Sequence, residues 1–279
     1  MNIPTVLCTF AIAIGAVITI AAGSVRPQRM PLLVFCDVGQ GDGAYIRMED
    51  GFDAVIDGGR DGRMVSCLDQ YRYPDDSSID LVIVTHADSD HYAGLINVYR
   101  RFPVRYTILP SAGSSDASYA EFRALVASHS AVMPPPQLGD SLRFGSAVFR
   151  FLWPGRETKH SQCLHDRNSC SYVHLFSYQD FDVLFTGDVT RKQLNRILLN
   201  NVQSLEVIKV PHHGSAGGLS PQLVSKLNPQ SAVISVGKKN PYKHPDESII
   251  RMLQGRTVYR TDSQGAIIFR LPRSPGQAK

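Results

Sequence analysis

The chain has 279 residues, 43% hydrophobic and 19% charged, with a formal net charge of +4. That length suits one large domain or two small ones, with a core that needs no disulfide help, and the composition excludes disordered, collagen-like and coiled-coil proteins. Only one segment is apolar enough to cross a membrane, which excludes a channel or transporter built from this chain alone.

That segment comes first. No charged side chain precedes Arg26, and residues 5–22 (TVLCTFAIAIGAVITIAA) are almost all apolar. They would make roughly 27 Å of helix, close to the bilayer core. We read residues 1–24 as a signal peptide or membrane anchor, 25–31 as a linker, 32–272 as the globular domain and 273–279 as a tail. Small residues at Ala21, Ala22 and Gly23 suit signal cleavage, whereas the lack of an early Lys or Arg suits an uncleaved anchor. Arg26 and Arg29 after the segment would hold the domain in the cytoplasm. Four cysteines lie beyond the segment and would suit an oxidising compartment if they pair, but spacing does not give their connectivity.

From residue 32 strands alternate with loops and helices. Residues 32–37 (LLVFCD) form an apolar strand ending in a Gly-rich turn. Residues 44–48 and 54–57 are predicted as a hairpin through Asp50-Gly51. Residues 80–85 form a buried strand and 92–102 the helix after it. A strand at 106–109, a helix at 118–128 and a loop at Pro134-Pro135-Pro136 follow. Strands are predicted at 147–152, 172–178, 182–186, 205–210 and 232–236. Residues 155–167 are read as a polar, mobile loop. Helices are predicted at 189–199, 221–227 and 247–253, and residues 257–260 and 266–270 as a closing hairpin. Two batches of strands with helices outside pack most simply as two sheets in an α/β sandwich.

The chemistry concentrates where apolar strands end. THADSDH, residues 85–91, puts His86, Asp88, Asp90 and His91 within six residues. In a loop leaving a strand alternate residues can share a direction, so His86 and Asp88 can serve one cation while Asp90 and His91 turn toward a second. Imidazole with carboxylate suits Zn²⁺, Mn²⁺ or Fe²⁺. Asp188 follows the apolar run VLFTG and can bridge two cations. His212 and His213 follow the strand at 205–210. Asp37 and Asp57 are read as shaping loops or orienting ligands, and His129, His160 and His174 as surface or satisfied structural residues. The Gly39–Gly43 turn lacks the dinucleotide fingerprint spacing. No nucleophile-elbow Ser and no Cys-x2-Cys pair is present, so serine-hydrolase and zinc-finger readings fail.

Charge divides along the chain. Residues 26–189 carry 15 Lys/Arg against 21 Asp/Glu, and residues 190–279 carry 14 against 4. An acidic part that can hold cations is joined to a basic part that can attract phosphates.

The order THADSDH, FTGD and PHHGS resembles the metallo-β-lactamase fold superfamily. FCDVGQGD, IDGG, NSCS, KVPHHGS, VGKKNPYKHP and VYRTDSQGAI resemble the hydrolase domain of the ComEC family of DNA-uptake proteins, over roughly residues 32–270. The chain resembles that domain alone, without the family's multi-helix channel. The resemblance implies a four-layer αββα sandwich preceded by one hydrophobic helix, and an extracytoplasmic, membrane-associated or secreted domain. It implies two divalent ions, Mn²⁺ or Zn²⁺: His86 and Asp88 on one, Asp90 and His91 on the other, Asp188 between them. His212 would complete the second site, with His213 a further ligand or a catalytic contact. Asn168 stands where the broad superfamily has a His, and His165 or Cys163 are substitutes for it. Asp88 stands where that superfamily has a second His, which makes the first site harder in character.

These residues predict a hydrolase using a hydroxide held between two metals, with Asp90 doubling as proton acceptor. The implied substrate is DNA or another phosphodiester, gripped by Lys209, Ser215, Lys238, Asn240 and His244 in loops after the later strands, with little sequence preference. Competing readings are a small-molecule phosphodiester esterase, a lactonase, or a non-catalytic membrane-tethered binding domain. The resemblance also implies a role in competence beside a separate membrane channel protein, with residues 5–22 in the membrane.

Overall fold

The computed structural model describes residues 29–197 and 205–273. The predicted N-terminal anchor or signal peptide, residues 1–24, therefore lies outside the described residues, as do the last residues predicted for the helix at 189–199. Among the described residues no helix is long and apolar enough to cross a membrane.

Fourteen strands form two seven-stranded sheets among the described residues. The first contains β1 (Leu32–Phe35), β2 (Gly43–Arg47), β3 (Asp53–Gly58), β4 (Ile79–Ile83), β5 (Val104–Ile108) and β6 (Ala131–Met133) in that spatial order, with β14 (Ile267–Arg270) outside β1. The second contains β7 (Ser141–Phe144), β8 (Ala147–Trp153), β9 (Val173–Tyr178), β10 (Phe181–Phe185), β11 (Val207–Lys209), β12 (Ser231–Ile234) and β13 (Thr257–Arg260), also in chain order. The predicted hairpin through Asp50-Gly51 is present, β2 pairing antiparallel with β3.

Strand alternation builds the layers. In β1, Leu33 and Phe35 face the other sheet while Leu32 and Val34 face helices α1 (Arg63–Tyr71), α3 (Leu95–Arg101) and α4 (Ala117–His129). Leu81 and Ile83 of β4 likewise join Phe149, Phe176 and Phe185 between the sheets, whereas Val82 points to the helices. Beyond the second sheet, α6 (Arg191–Arg196), α7 (Pro221–Leu227) and α8 (Glu247–Met252) cover Leu184, Ile208 and Ala232. The result is the expected αββα sandwich.

Several expectations change. The closing hairpin is not one: β13 pairs with β12 in the second sheet, and β14 crosses back to pair with β1 in the first. Helix α9 (Thr261–Gln264) fills the crossing. Apolar alternation marks a strand but does not say which sheet will take it. The helix at 92–102 is split into α2 (Ser89–Tyr92) and α3, because the chain passes against β3 at Gly94, where a Cβ would overlap the Gly58 carbonyl. Helix α1 escaped prediction, although Met64, Cys67 and Leu68 sit on one buried face. The segment 155–167 is not a free loop: it contains α5 (His160–His165), fastened by a Cys163–Cys170 disulfide. A second disulfide, Cys36–Cys67, ties the end of β1 to α1.

Candidate metal centre

Strands β3 and β4 run parallel in the first sheet and β10, β11 and β12 run parallel in the second, with β9 antiparallel to β10. Their C-terminal ends share one rim, where open α/β sheets place ligand sites. Asp57 ends β3; Thr85–His91 follow β4; Gly187 and Asp188 follow β10; Pro211–Gly214 follow β11; Ser235 follows β12.

Three imidazoles there are held in the same manner. His91 is fully buried, and its Nδ1 lies 2.8 Å from Asp57 Oδ2. His213 is 2% exposed, and its Nδ1 is 3.0 Å from the Ser235 carbonyl oxygen, which can only accept. His86 Nδ1 is 3.1 Å from Thr85 Oγ1, whose own hydroxyl donates to Asp57 Oδ2 at 2.7 Å. Each Nδ1 therefore donates to its own partner, which leaves each Nε2 as the atom turned toward the site. All three Nε2 atoms are buried without a partner. They surround Asp188 Oδ2, at 3.3 Å from His91, 3.3 Å from His213 and 3.9 Å from His86. Buried polar groups normally find partners, so this convergence is unexplained by the protein alone. The Asp188 and Asp42 Oδ1 atoms and Asn168 Oδ1 are also buried without hydrogen-bond partners.

This arrangement fits divalent cations. His86, His91 and Asp188 offer ligand atoms within 4.8 Å of one another, as do Asp90, His91 and His213, and Asp42, Asp188 and His213. Imidazoles backed by a carboxylate, hydroxyl or carbonyl are how proteins orient metal ligands. Among the described residues five carboxylates, on Asp42, Asp57, Asp88, Asp90 and Asp188, face only Lys209 and Arg167 as fixed cations. Such an excess of buried negative charge calls for positive ions.

Electrostatics follow from that crowding. Burial works against charge on Asp188, but His213 and His91 overcome it and hold the carboxyl well below its usual range. Burial opposes charge on His91 and His213 as well, and Asp188 outweighs it, pushing both well above an ordinary imidazole. Asp88 is held at about 2: burial raises it, and hydrogen bonds and charge from His86 and Arg167 outweigh burial. Arg167 Nε donates to Asp88 Oδ1 at 2.5 Å.

Two neighbouring histidines part ways. His212 and His213 both adopt left-handed backbone, with φ of 49° and 53°, followed by Gly214 at φ 85°. Such torsions are costly away from glycine and mark functional turns. The turn drives His213 inward, 3.5 Å from Asp90 Oδ2, and leaves His212 at the rim, its side chain 34% exposed and its Nε2 3.8 Å from Asp188. His213, expected beside the ligands, joins the buried ligand atoms; His212, expected among them, stands at the edge. Burial lowers its pKa.

Other expectations need correcting. Lys209 is not in a loop: it ends β11, is 3% exposed, pairs with Asp42, lies 3.6 Å from Asp188 and donates to the Gly187 carbonyl at 3.0 Å. Its ammonium belongs to the floor of the site. Asn240 spends its amide inside its own turn, donating to the Gly237 and His244 carbonyls and accepting from the His244 N–H at 2.8 Å. Cys163 is disulfide-bonded and His165 is exposed, so neither replaces Asn168, which opens the 3₁₀ turn Asn168–Cys170 beside Arg167. Ser215 follows Gly214, Lys238 is exposed, and His244 stands at the rim with its ring 6.0 Å from that of His212. Asp37 shapes its turn by accepting from the Gly39 N–H. His129 and His160 are exposed, as expected, but His174 is buried with neither ring nitrogen partnered.

Sequence reasoning missed Asp42 and Arg167 as members of the site. Asp42 was visible as a carboxylate in a Gly-rich turn after an apolar strand. Arg167 left no signal, since its partner Asp88 is 79 residues away.

Residues 36–238 match the Metallo-beta-lactamase superfamily, and the chain belongs to it. Curated relatives place it further. It is 27% identical over 202 residues to ComE operon protein 3 of Bacillus subtilis, covering 71% of this chain and 25% of that protein. It is 28% identical over 221 residues to Recombination protein 2 of Haemophilus influenzae, covering 78% and 26%. The chain thus spans about a quarter of the length of these relatives. Among solved structures, the metallo-beta-lactamase fold protein YhfI from Bacillus subtilis superposes with a TM-score of 0.55 at 13% identity, over 87% of this chain and 100% of that one. A diphosphatase from the PhnP family gives 0.53 at 13%, over 87% and 98%. These two likenesses concern the fold. The chain is also 29% identical over 205 residues to Competence protein ComA of Neisseria gonorrhoeae, covering 72% and 26%. The fold, the family and the ligand cluster together define a metal-dependent hydrolase related to competence proteins.

Proposed function

We propose that the chain is a dinuclear metal-dependent phosphodiesterase that cleaves DNA during its uptake. The observation that carries this reading is the convergence of three buried, unpartnered imidazole Nε2 atoms on Asp188. The similarity to competence and recombination proteins points to DNA rather than to a lactone or a small ester. His86 and Asp88 would hold one ion, Asp90, His91 and His213 the other, and Asp188 both, with Asn168 Oδ1 as a further oxygen donor. An oxygen-rich set without thiolate suits Mn²⁺ or Zn²⁺. When bound, such ions supply Lewis acidity and an activated water at neutral pH.

The protein's own groups do the rest. Asp57, Thr85 and Ser235 fix the three imidazoles, so the ligand atoms are aimed before any ion arrives. Lys209 keeps Asp42 and Asp188 ionised from below. Asp90, whose carboxyl is held below its usual range by His213 and His91 against the effect of burial, stays an ionised acceptor. His212 and His244 face the rim from the side where substrate would enter, and His212 can exchange a proton with the leaving oxygen. Residues 5–22 would tether the domain on the extracytoplasmic side, beside a separate channel protein.

The test is Mn²⁺- or Zn²⁺-dependent cleavage of single-stranded DNA and bis(nitrophenyl) phosphate, set against a lactone panel. Hydrolysis of lactones alone would remove the phosphodiesterase reading. Full metal occupancy with no hydrolysis of any substrate would leave a binding domain.

A further inference from the structure

A second concave region lies beside the metal centre and outside it. It is a cleft of about 430 Å³ lined by Asp37, Gln40, Arg60, Arg63, Lys238 and Lys239, among others. Its walls are chain extensions of residues that touch the catalytic cluster. Gln40 is two residues before Asp42, Arg60 is three after Asp57, and Lys238 is three after Ser235. At no more than about 3.6 Å per residue, each wall lies within roughly 11 Å of its cluster residue along the chain. The walls are also joined, the Gly237 N–H donating to Gln40 Oε1 at 3.3 Å.

The cleft is basic in a specific way. Arg63 is offset by Asp61 at 3.3 Å, and Asp37 is engaged by the Gly39 N–H. Arg60, Lys238 and Lys239 are exposed and, among the described residues, have no ion pair. The Gln40 Nε2 donor in the wall has no acceptor. With Asp37 the one lining carboxylate outside an ion pair, the cleft keeps a positive excess from three exposed cations, a set that suits a phosphate and no apolar or cationic group.

We infer that this cleft binds the phosphodiester backbone of a DNA strand next to the phosphate being cleaved. The inference rests on the phosphodiesterase reading and names its substrate class: a polymer with a second phosphate in reach, rather than a compact monoester or diester. Contacts of this kind position the strand without reading its bases.

The experiment measures binding without turnover. The metal-free chain and an Arg60→Glu/Lys238→Glu/Lys239→Glu variant are titrated, in EDTA and at several salt concentrations, against a short fluorescein-labelled oligothymidylate followed by anisotropy. The variant's Kd should rise at least about tenfold, and the slope of log K against log salt should fall by about 2, near 0.7 per lost single-strand contact. Lys226→Glu, on exposed α7 surface, should leave both within about twofold, since only local phosphate contacts carry the slope. Thermal unfolding of the variant confirms that it folds. An unchanged Kd and slope, an equal loss in Lys226→Glu, or no binding by the wild type would overturn the cleft assignment. Wild-type binding through the cleft without DNA cleavage under either Mn²⁺ or Zn²⁺ would instead overturn the proposed activity and leave the cleft standing.

Discussion

His91 and His174 are both fully buried, yet they inhabit opposite environments. His91 faces Asp57, Asp188 and Asp42, and their charges push its pKa well above 6.5 against the effect of burial. His174, the second residue of β9, lies among Phe149, Phe151 and Phe185, stacked on the last at 5.0 Å, and burial alone pushes it down to about 3. Both expose unpartnered nitrogen atoms to the interior. The difference is that the unpartnered Nε2 of His91 converges with other ligand atoms, whereas those of His174 meet only aromatic rings. Burial makes a histidine unusual; company makes it a ligand.

The comparison breaks most sharply at Asp188. Asp188→Asn keeps the shape but removes the charge on which the imidazoles converge. We expect loss of bound metal and a fall in turnover on the order of 10³-fold or more, the scale of losing a group that stabilises developing charge. Elemental analysis alongside Mn²⁺-dependent bis(nitrophenyl) phosphate hydrolysis checks this, and retained metal would contradict it. His174→Phe, by contrast, should leave metal content unchanged.

Orientation comes next. Asp57 touches no expected ion-binding atom of its own, but holds His91 Nδ1 and the Thr85 hydroxyl. Asp57→Asn should weaken metal affinity by about 10–100-fold, the usual cost of losing an orienting partner, with the fold retained. Competition with a chelator measures it, and an affinity equal to wild type would show that the imidazoles aim themselves.

The smallest effect concerns pH. The folded pKa of His174, about 3, lies below its ordinary 6.5. Between those values the unfolded chain takes up a proton that the folded chain refuses. Stability is thus unaffected above pH 6.5 and is lost progressively as pH falls below it. At pH 5 the loss is about 2 kcal/mol relative to pH 7. His174→Phe should remove that part of the slope of unfolding free energy against pH, whatever repacking does to its absolute value. An unchanged slope would mean that His174 is solvated or paired in solution.

How much of this was legible beforehand depends on the kind of signal. THADSDH after an apolar strand exposed the ligand-rich loop, because two His and two Asp in six residues have no packing reason to sit there. The two sheets were legible from the two batches of strands. What stayed hidden depends on three-dimensional contact. The return of β14 to the first sheet, the burial of the Lys209 ammonium under Asp188, and the Arg167–Asp88 pair join residues distant in the chain. The different placement of His212 and His213 hangs on two left-handed torsions that no side-chain pattern announces. His174 read as ordinary because its aromatic neighbours come from two other strands, β8 and β10.

The central claim is that Nε2 of His86, His91 and His213 converges with Asp188 on divalent ions. Anomalous diffraction from crystals of the purified protein grown with Mn²⁺ or Zn²⁺ tests it most directly. The account predicts anomalous peaks about 2.0–2.2 Å from those nitrogen atoms, with Asp188 between them. Protein with an empty cluster, its imidazoles protonated and paired to Asp188, or with ions bound only elsewhere, would contradict it.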